Sequence, residues 1–159
     1  LHDGPDFQPE KSARHLDSDR LVRSFVVNAA GPAIIGKHFL PKLRRDHRAI
    51  FAALSARVGS VSDNRVGGWY GYRASKAALN MMLKNFAIEF GRRSPQGVIV
   101  GLHPGTVASN LSAPFQRGTP SEKLFTPVQA AAHLLDVVDN LSPADSGGCF
   151  AWDGARLDA

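Results

Sequence analysis

The chain has 159 residues, 43% of them hydrophobic, which is enough to bury the core of one globular domain. Its single cysteine, Cys149, excludes an internal disulfide, and no apolar run approaches the roughly 18 residues of a membrane span, so a soluble cytoplasmic protein is expected. The net charge of +5 does not indicate nucleic-acid binding, because the basic residues are scattered apart from one cluster at 42–48 and no recognition motif accompanies them.

The first predicted element is a long helix that runs from Asp17 to about Arg45. Asp17 and Ser18 are good N-cap candidates, because their side-chain oxygens can accept from the free backbone N–H groups of a first turn. Gly31 and Pro32 interrupt the helix, since proline has no backbone N–H and its ring clashes with the preceding turn. We therefore expect a kink near the middle of this helix.

Two short apolar runs, at 49–54 and 97–102, predict buried parallel strands. Between them, residues 63–70 predict a surface turn, and residues 74–90 predict an amphipathic helix rich in good helix formers.

The second strand is followed by a long segment at 104–126 that is rich in Gly, Pro and Ser. Loops of this length are often functional. Residues 127–140 then resume helical periodicity, and residues 148–152 predict a last strand before a turn at Asp153 and Gly154.

Tyr72 and Lys76 stand four residues apart at the start of the second helix, so their side chains share one helix face. A free tyrosine titrates near pH 10, and it becomes a useful acid or base at neutral pH when a nearby cation stabilises its phenolate. The spacing alone is weak evidence, because any helix that contains both residue types can show it.

With this pair in place, the chain resembles the short-chain dehydrogenase/reductase family, whose hallmark is Tyr-x-x-x-Lys on a long helix after a strand that ends in serine. The segment at 26–31 resembles the family's helix with an active-site asparagine, and residues 50–59 resemble its fifth strand. The segment at 103–111 resembles the Pro-Gly segment that borders the nicotinamide. The residues around Tyr72 are most similar to the branch that contains C-factor and the sniffer-type carbonyl reductases.

The resemblance implies an α/β fold, with a Rossmann-type doubly wound parallel sheet of which the chain holds only the carboxyl-terminal part. Residues 1–159 would form one partial domain with an uncovered edge strand, because the glycine-rich turn of the nucleotide site is absent and the chain opens with Leu1 rather than methionine. The resemblance implies NAD or NADP as the cofactor. The two are not distinguished, since the adenosine side of the site is missing.

The resemblance also implies roles for individual residues. Tyr72 would exchange a proton with the substrate, and Lys76 would lower the pKa of Tyr72 and hydrogen-bond the nicotinamide ribose. Asn28 would hold its helix bend and a water, although it is equally compatible with satisfying backbone groups at a kink. The segment 104–126 would be a lid over the substrate. The cofactor-binding residues would be Tyr72, Lys76, Pro104, Gly105, Thr106, Val107 and Ser109.

The sequence departs from the family pattern at the serine that binds the substrate carbonyl. The usual position falls on Ala56, with Ser55 just before it and Ser60 four residues after it. We favour Ser60 because it lies 12 residues before Tyr72, close to the family's usual separation, and keep Ser55 as the alternative. Trp69 is expected either to line the substrate pocket or to act as a packing element.

Three functions are compatible with these features. The first is an NAD(P)-dependent carbonyl reductase or alcohol dehydrogenase that acts on a small-molecule carbonyl or alcohol. The second is a non-catalytic C-factor-like signalling or interaction protein, because half of the cofactor site is absent. The third is a structural subunit.

Helices 17–45 and 72–92 are the expected interface of a homo-oligomer. Metal catalysis is not indicated, because metal-ligand spacing is lacking among the histidines at 2, 15, 38, 47, 103 and 133.

Overall fold

The computed structural model describes residue 2 and residues 7–158. The predicted long helix is present but is divided into three segments, in chain order α1 (Ser18–Phe25), a π-helical turn (Val26–Ala30) and α2 (Gly31–Phe39). The side chain of Asp17 caps α1 by accepting from the backbone N–H of Arg20. Pro32 is the second residue of α2 and directly follows the π-helical turn, so the helix changes its hydrogen-bond pattern at the position where proline has no N–H to donate. A short 3₁₀ turn then ends the helix at Lys42, three residues earlier than predicted.

The strands and helices predicted for the rest of the chain are confirmed near their expected bounds, and three strands of two residues each are found in addition. In chain order they are β1 (Ala49–Leu54), α3 (Tyr70–Gly91), β2 (Gly97–His103), β3 (Thr106–Val107), β4 (Leu124–Phe125), α4 (Pro127–Asn140), β5 (Cys149–Ala151) and β6 (Arg156–Leu157).

The main sheet has four strands in the order β1-β2-β5-β6. The pairs β1–β2 and β2–β5 are parallel, and the short β6 pairs antiparallel with β5. Ala49 is opposite Gly97 and Leu54 is opposite Leu102, so the carboxyl ends of β1 and β2 finish side by side. The polar groups that follow these two strands are therefore brought to one edge of the sheet.

Helices cover both faces of the sheet, which confirms the doubly wound α/β architecture. One core cluster lies between β2, α3 and the turns on either side of α2, with Leu79, Leu83 and Ile99 among its members. The other lies between β2 and α4, with Val100 and Val137 among its members. Because β2 is buried on both faces, its sequence reads as a nearly continuous apolar run instead of an alternating one.

In the described residues, β1 forms a ladder with β2 alone, so its other edge is uncovered, as the resemblance implies. Leu54 at the end of this edge strand is 60% exposed. The three segments of the first helix also expose large apolar side chains, among them Val27, Ile34, Ile35 and Phe39.

Among residues 2 and 7–158, no helix is long and apolar enough to cross a membrane. Within the same residues, no group of three or more His, Cys, Asp and Glu side chains is arranged to hold a metal ion.

Candidate active site

A turn with left-handed backbone conformation, at residues 67–69, immediately precedes α3, the helix that contains Tyr72 and Lys76. Gly67, Gly68 and Trp69 adopt φ values of 68°, 65° and 52° in succession. Glycine adopts this conformation freely, whereas Trp69 is strained there, as residues near functional sites often are. Glu10 fixes the turn, because its backbone carbonyl accepts from Trp69 N–H at 2.6 Å and its carboxylate accepts from Gly71 N–H at 3.2 Å.

Tyr72 is partly buried and faces a cavity of about 240 Å³ at the carboxyl ends of β1 and β2. The walls come from the end of β1, the loop after β2 and the segment that follows that loop. The structure brings to this one cavity most of the residues expected at the site, namely Ser55, Trp69, Tyr72, Pro104, Gly105, Thr106, Val107 and Ser109.

Lys76 lies one helical turn after Tyr72 and is buried, but it does not contact the phenol hydroxyl. Its Nζ donates to the backbone carbonyl of Leu54 at 2.9 Å and lies 5.9 Å from the centroid of the Tyr72 ring. Burial lowers the pKa of Lys76, an effect that Cys149 opposes, and burial raises the pKa of Tyr72. In this structure desolvation is the influence that acts on the phenol, and the ammonium is bound to the end of β1, so a lowering of the Tyr72 pKa by Lys76 stays a prediction.

Asn28 reaches the active-site helix through Ser75. The Asn28 side-chain amide donates to Ser75 Oγ at 3.1 Å, and Ser75 Oγ donates to the backbone carbonyl of Tyr72 at 2.9 Å. Asn28 lies in the π-helical turn, and Ser75 is fully buried. These two bonds connect the bend in the first helix to the backbone of Tyr72. Asn28 is not one of the residues that line the cavity.

The geometry does not support Ser60 as the serine of the site. Its hydroxyl accepts from the backbone N–H of Asp63 at 3.1 Å and lies 3.3 Å from Ser62 Oγ, so it serves its own turn and does not line the cavity. The residue count placed Ser60 close to Tyr72 in sequence, but a 3₁₀ turn at Arg57–Gly59 directs the chain away. Ser55 does line the cavity, although its hydroxyl donates to Asn80 Oδ1 at 2.6 Å.

His103 is the side chain that the sequence reasoning missed. The sequence places it in the Pro-Gly segment and among six histidines without metal-ligand spacing, and neither pattern indicates a role in the site. It ends β2 and lines the same cavity as Tyr72. Burial lowers the pKa of His103 to about 4, with Arg57 acting in the same direction and Asp153 opposing it.

The segment between β3 and β4 closes one side of the cavity. The two short strands pair in parallel and bring both ends of the segment together. Leu111, Ser112 and Phe115 from this segment line the cavity, and the Phe115 ring packs 5.1 Å from that of Trp69. This arrangement supports the expectation of a lid at 104–126, which stays a prediction.

No protein-family model matches the chain. The C-signal protein of Myxococcus xanthus is 35% identical over 143 residues, which span 89% of this chain and 80% of that protein. The 1-hydroxy-2-glutathionyl-2-methyl-3-butene dehydrogenase of Rhodococcus sp. (strain AD45) is 40% identical over 144 residues, which span 89% of this chain and 60% of the dehydrogenase. The chain thus spans about 60% of the length of that dehydrogenase.

Solved structures show the same fold. The carbonyl reductase Sniffer of D. melanogaster superposes with a TM-score of 0.83 at 23% identity, covering 100% of this chain and 64% of that one. An NADPH-bound carbonyl reductase from chicken fatty liver superposes with a TM-score of 0.80 at 24% identity, and the match covers 94% of this chain and 61% of that one. The chain therefore belongs to the short-chain dehydrogenase/reductase family, a family of oxidoreductases, in the branch of C-factor and the sniffer-type carbonyl reductases.

Proposed function

We propose that this chain forms the catalytic part of an NAD(P)-dependent reductase that interconverts a small-molecule carbonyl compound and its alcohol. One observation carries the proposal: Tyr72 faces a cavity closed by the Pro104–Gly105 loop, with Lys76 buried one turn behind it. Relatives and structural neighbours named as dehydrogenases and carbonyl reductases support the same reaction.

The cavity suits the nicotinamide end of a dinucleotide better than the whole cofactor. Its volume of about 240 Å³ is below the roughly 300–1,000 Å³ of complete ligand pockets. The groups around it include the phenol of Tyr72, the backbone of the Pro104–Gly105 loop and the side chains of Thr106 and Ser109. These donors and acceptors fit a nicotinamide ring with a small substrate beside it, whether the cofactor is NAD or NADP.

A bound nicotinamide would supply the hydride that reduces the carbonyl carbon. In the same step, Tyr72 would give its hydroxyl proton to the carbonyl oxygen, and the tyrosinate would regain a proton from solvent. Burial keeps the pKa of Tyr72 above its ordinary value, so the hydroxyl carries its proton at neutral pH and is ready to donate it. In the alcohol-to-carbonyl direction, Tyr72 would accept that proton as a base.

The neighbouring residues would position the reacting groups. Lys76 would leave the Leu54 carbonyl to hold the ribose of the cofactor, where its charge would also stabilise the tyrosinate. Asn28 would fix the backbone of Tyr72 through Ser75. Trp69 and Phe115, whose rings pack together in the cavity wall, would exclude water from the reacting carbon.

The test is a fluorescence titration of NADH and NADPH against the full-length protein that contains this chain, followed by cofactor oxidation in the presence of benzaldehyde. We expect saturable binding of at least one cofactor and turnover that Tyr72→Phe abolishes. A folded protein that binds neither cofactor at millimolar concentration would rule out the oxidoreductase proposal.

A second candidate is a signalling or interaction role without catalysis, which the 35% identity with the C-signal protein favours. A protein with that role would tolerate Tyr72→Phe in its biological assay, whereas an enzyme would not.

Assembly of two copies through the helices at 17–45 and 72–92 is part of either proposal. Supporting it, both helices expose large apolar side chains, among them Ile34, Ile35, Met81 and Ile88.

A further inference from the structure

The end of β1 supplies no free serine hydroxyl to the cavity. Ala56 occupies the position where the resemblance places the carbonyl-binding serine, and a methyl group donates no hydrogen bond. The hydroxyl of Ser55 lies between two groups, because it donates to Asn80 Oδ1 and also interacts with the thiol of Cys149. The hydroxyl of Ser60 is held in its own turn. A second hydrogen-bond donor to the substrate carbonyl, in addition to Tyr72, therefore has to come from an element other than the end of β1.

The strand geometry of β2 places His103 on the face that Tyr72 occupies. Successive strand residues point to opposite faces, so Ile99, Gly101 and His103 share one side. Ile99 packs in the cluster beneath α3, and a side chain at Gly101 would meet Ser55 Cβ at 3.2 Å and Asn80 Oδ1 at 3.4 Å. His103 is the next residue on this face, beyond the end of Leu54, and lines the cavity with Tyr72.

The imidazole of His103 is partly buried and is not committed to another group. In the described part of the chain, neither ring nitrogen has a hydrogen-bond partner, so both are free to bind a ligand in the cavity. The pKa near 4 means that the ring is neutral at pH 7, so it offers one N–H donor and one acceptor nitrogen. A neutral donor can bind a carbonyl oxygen without competing with Tyr72 for the proton transfer.

We propose that His103 is a substrate-binding residue of this site, whose imidazole N–H donates to the substrate carbonyl oxygen alongside the hydroxyl of Tyr72. This inference rests on the proposed reductase function. It assigns to the end of β2 the orienting role that the resemblance gives to a serine at the end of β1. The substrates selected are compounds with an exposed oxygen acceptor on the reacting carbon.

The first test compares His103→Leu, His103→Gln and the control His47→Leu in the full-length protein, with NADPH, NADH and benzaldehyde. His47 is exposed and pairs with Asp46, outside the cavity. We expect kcat/KM for benzaldehyde to fall at least tenfold in His103→Leu and to recover in large part in His103→Gln, which keeps an N–H donor. Cofactor affinity should stay within twofold. Unchanged kcat/KM in a folded His103→Leu variant would overturn the inference.

A second measurement needs neither turnover nor a variant. The histidine ring nitrogens are labelled with ¹⁵N, and acetophenone is titrated to tens of millimolar while the His103 signals are followed by NMR. We expect the His103 N–H signal to shift with saturation and the His47 signals to stay in place. Failure of the reductase proposal would appear separately, as a wild-type protein that does not bind cofactor. Static His103 signals would overturn the present inference in either case.

Discussion

Lys76 Nζ donates to the backbone carbonyl of Leu54 at 2.9 Å, which ties the active-site helix α3 to the end of the edge strand β1. The bond holds the ammonium 5.9 Å from the centre of the Tyr72 ring. Because the Leu54 carbonyl is a neutral acceptor, the lysine can exchange it for another oxygen when a ligand enters. The reaction proposed above would require Lys76 to leave this carbonyl for an oxygen of the cofactor.

Tyr72→Phe should abolish turnover without unfolding the protein, because it removes one hydroxyl from a partly buried ring. We expect kcat to fall below detection, a loss of at least roughly 100-fold, the scale of a lost general acid. Steady-state kinetics with a circular dichroism melt would measure both effects. Tyr70→Phe is the matched control, since Tyr70 lies two residues earlier on the same helix and does not line the cavity. Equal losses in the two variants would contradict the assignment.

His103 should make the protein less stable as the pH falls below neutrality. Its pKa is about 4 when folded and 6.5 in its ordinary state, so the unfolded chain binds the extra proton between these values. Stability is fully present above pH 6.5 and decreases as the pH falls toward 4. Between pH 7 and pH 4.5 the loss should be roughly 2 kcal/mol.

Urea unfolding of the wild type and of His103→Gln at both pH values would isolate this contribution. Arg57 and Asp153 are the charged groups that act on His103, and they are unchanged in the variant. We expect the wild type to lose roughly 2 kcal/mol more than the variant on acidification. Parallel losses would show that the imidazole is not buried in its neutral form.

Gly105→Ala should destabilise the loop that borders the cavity. Gly105 has a φ of 75°, and an added Cβ would lie 2.8 Å from Phe125 Cε2 and 3.0 Å from Trp152 Cδ1. Gly154→Ala is the matched control, because Gly154 has a φ of 82° and open space around it. We expect the control to lower the free energy of unfolding by about 1 kcal/mol through strain, and Gly105→Ala to lower it by about 2 kcal/mol or more. If the two variants lost the same free energy of unfolding, close packing of Gly105 against Phe125 and Trp152 would be excluded as a cause.

Arg48 should stabilise the end of α4. Its guanidinium donates to the backbone carbonyls of Val138, Asp139 and Leu141 at the carboxyl end of α4, where a helix leaves carbonyls short of helical partners. We expect Arg48→Ala to lower the free energy of unfolding by about 1–2 kcal/mol in urea titrations.

Arg44→Ala serves as the control for Arg48, since Arg44 pairs with Asp46 on the protein surface. We expect little change in its urea midpoint, because exposed ion pairs contribute little. If Arg44→Ala lowered the free energy of unfolding as much as Arg48→Ala, the effect would come from the lost positive charge and not from the hydrogen bonds at the end of α4.

The elements that sequence predicts best are those with local signals. The bounds of α4 agree with the prediction because Thr126 and Gln129 form a capping box around Pro127. The strands β1 and β2 were recognisable from their apolar runs. The two residues of β6 escaped prediction, because a short pair that depends on β5 leaves no periodic pattern of its own.

The site was predictable in its members but less so in its contacts. Tyr72 and the Pro104–Gly105 loop follow from motif spacing, and the fold brings them together. The partners of Lys76 and Ser55 depend on which groups the strand ends present, which spacing does not encode. His103 was overlooked for the same reason, since only the pairing of β1 with β2 turns its side chain toward Tyr72.

Transfer of deuterium tests the central claim most directly. The full-length protein would be incubated with benzaldehyde and NADPH or NADH carrying deuterium at both C4 positions of the nicotinamide, and the benzyl alcohol would be analysed by mass spectrometry. We expect one deuterium on the carbinol carbon with the wild type and no product with Tyr72→Phe. Alcohol without deuterium, or the same labelled yield from both proteins, would contradict hydride transfer with Tyr72 as the acid.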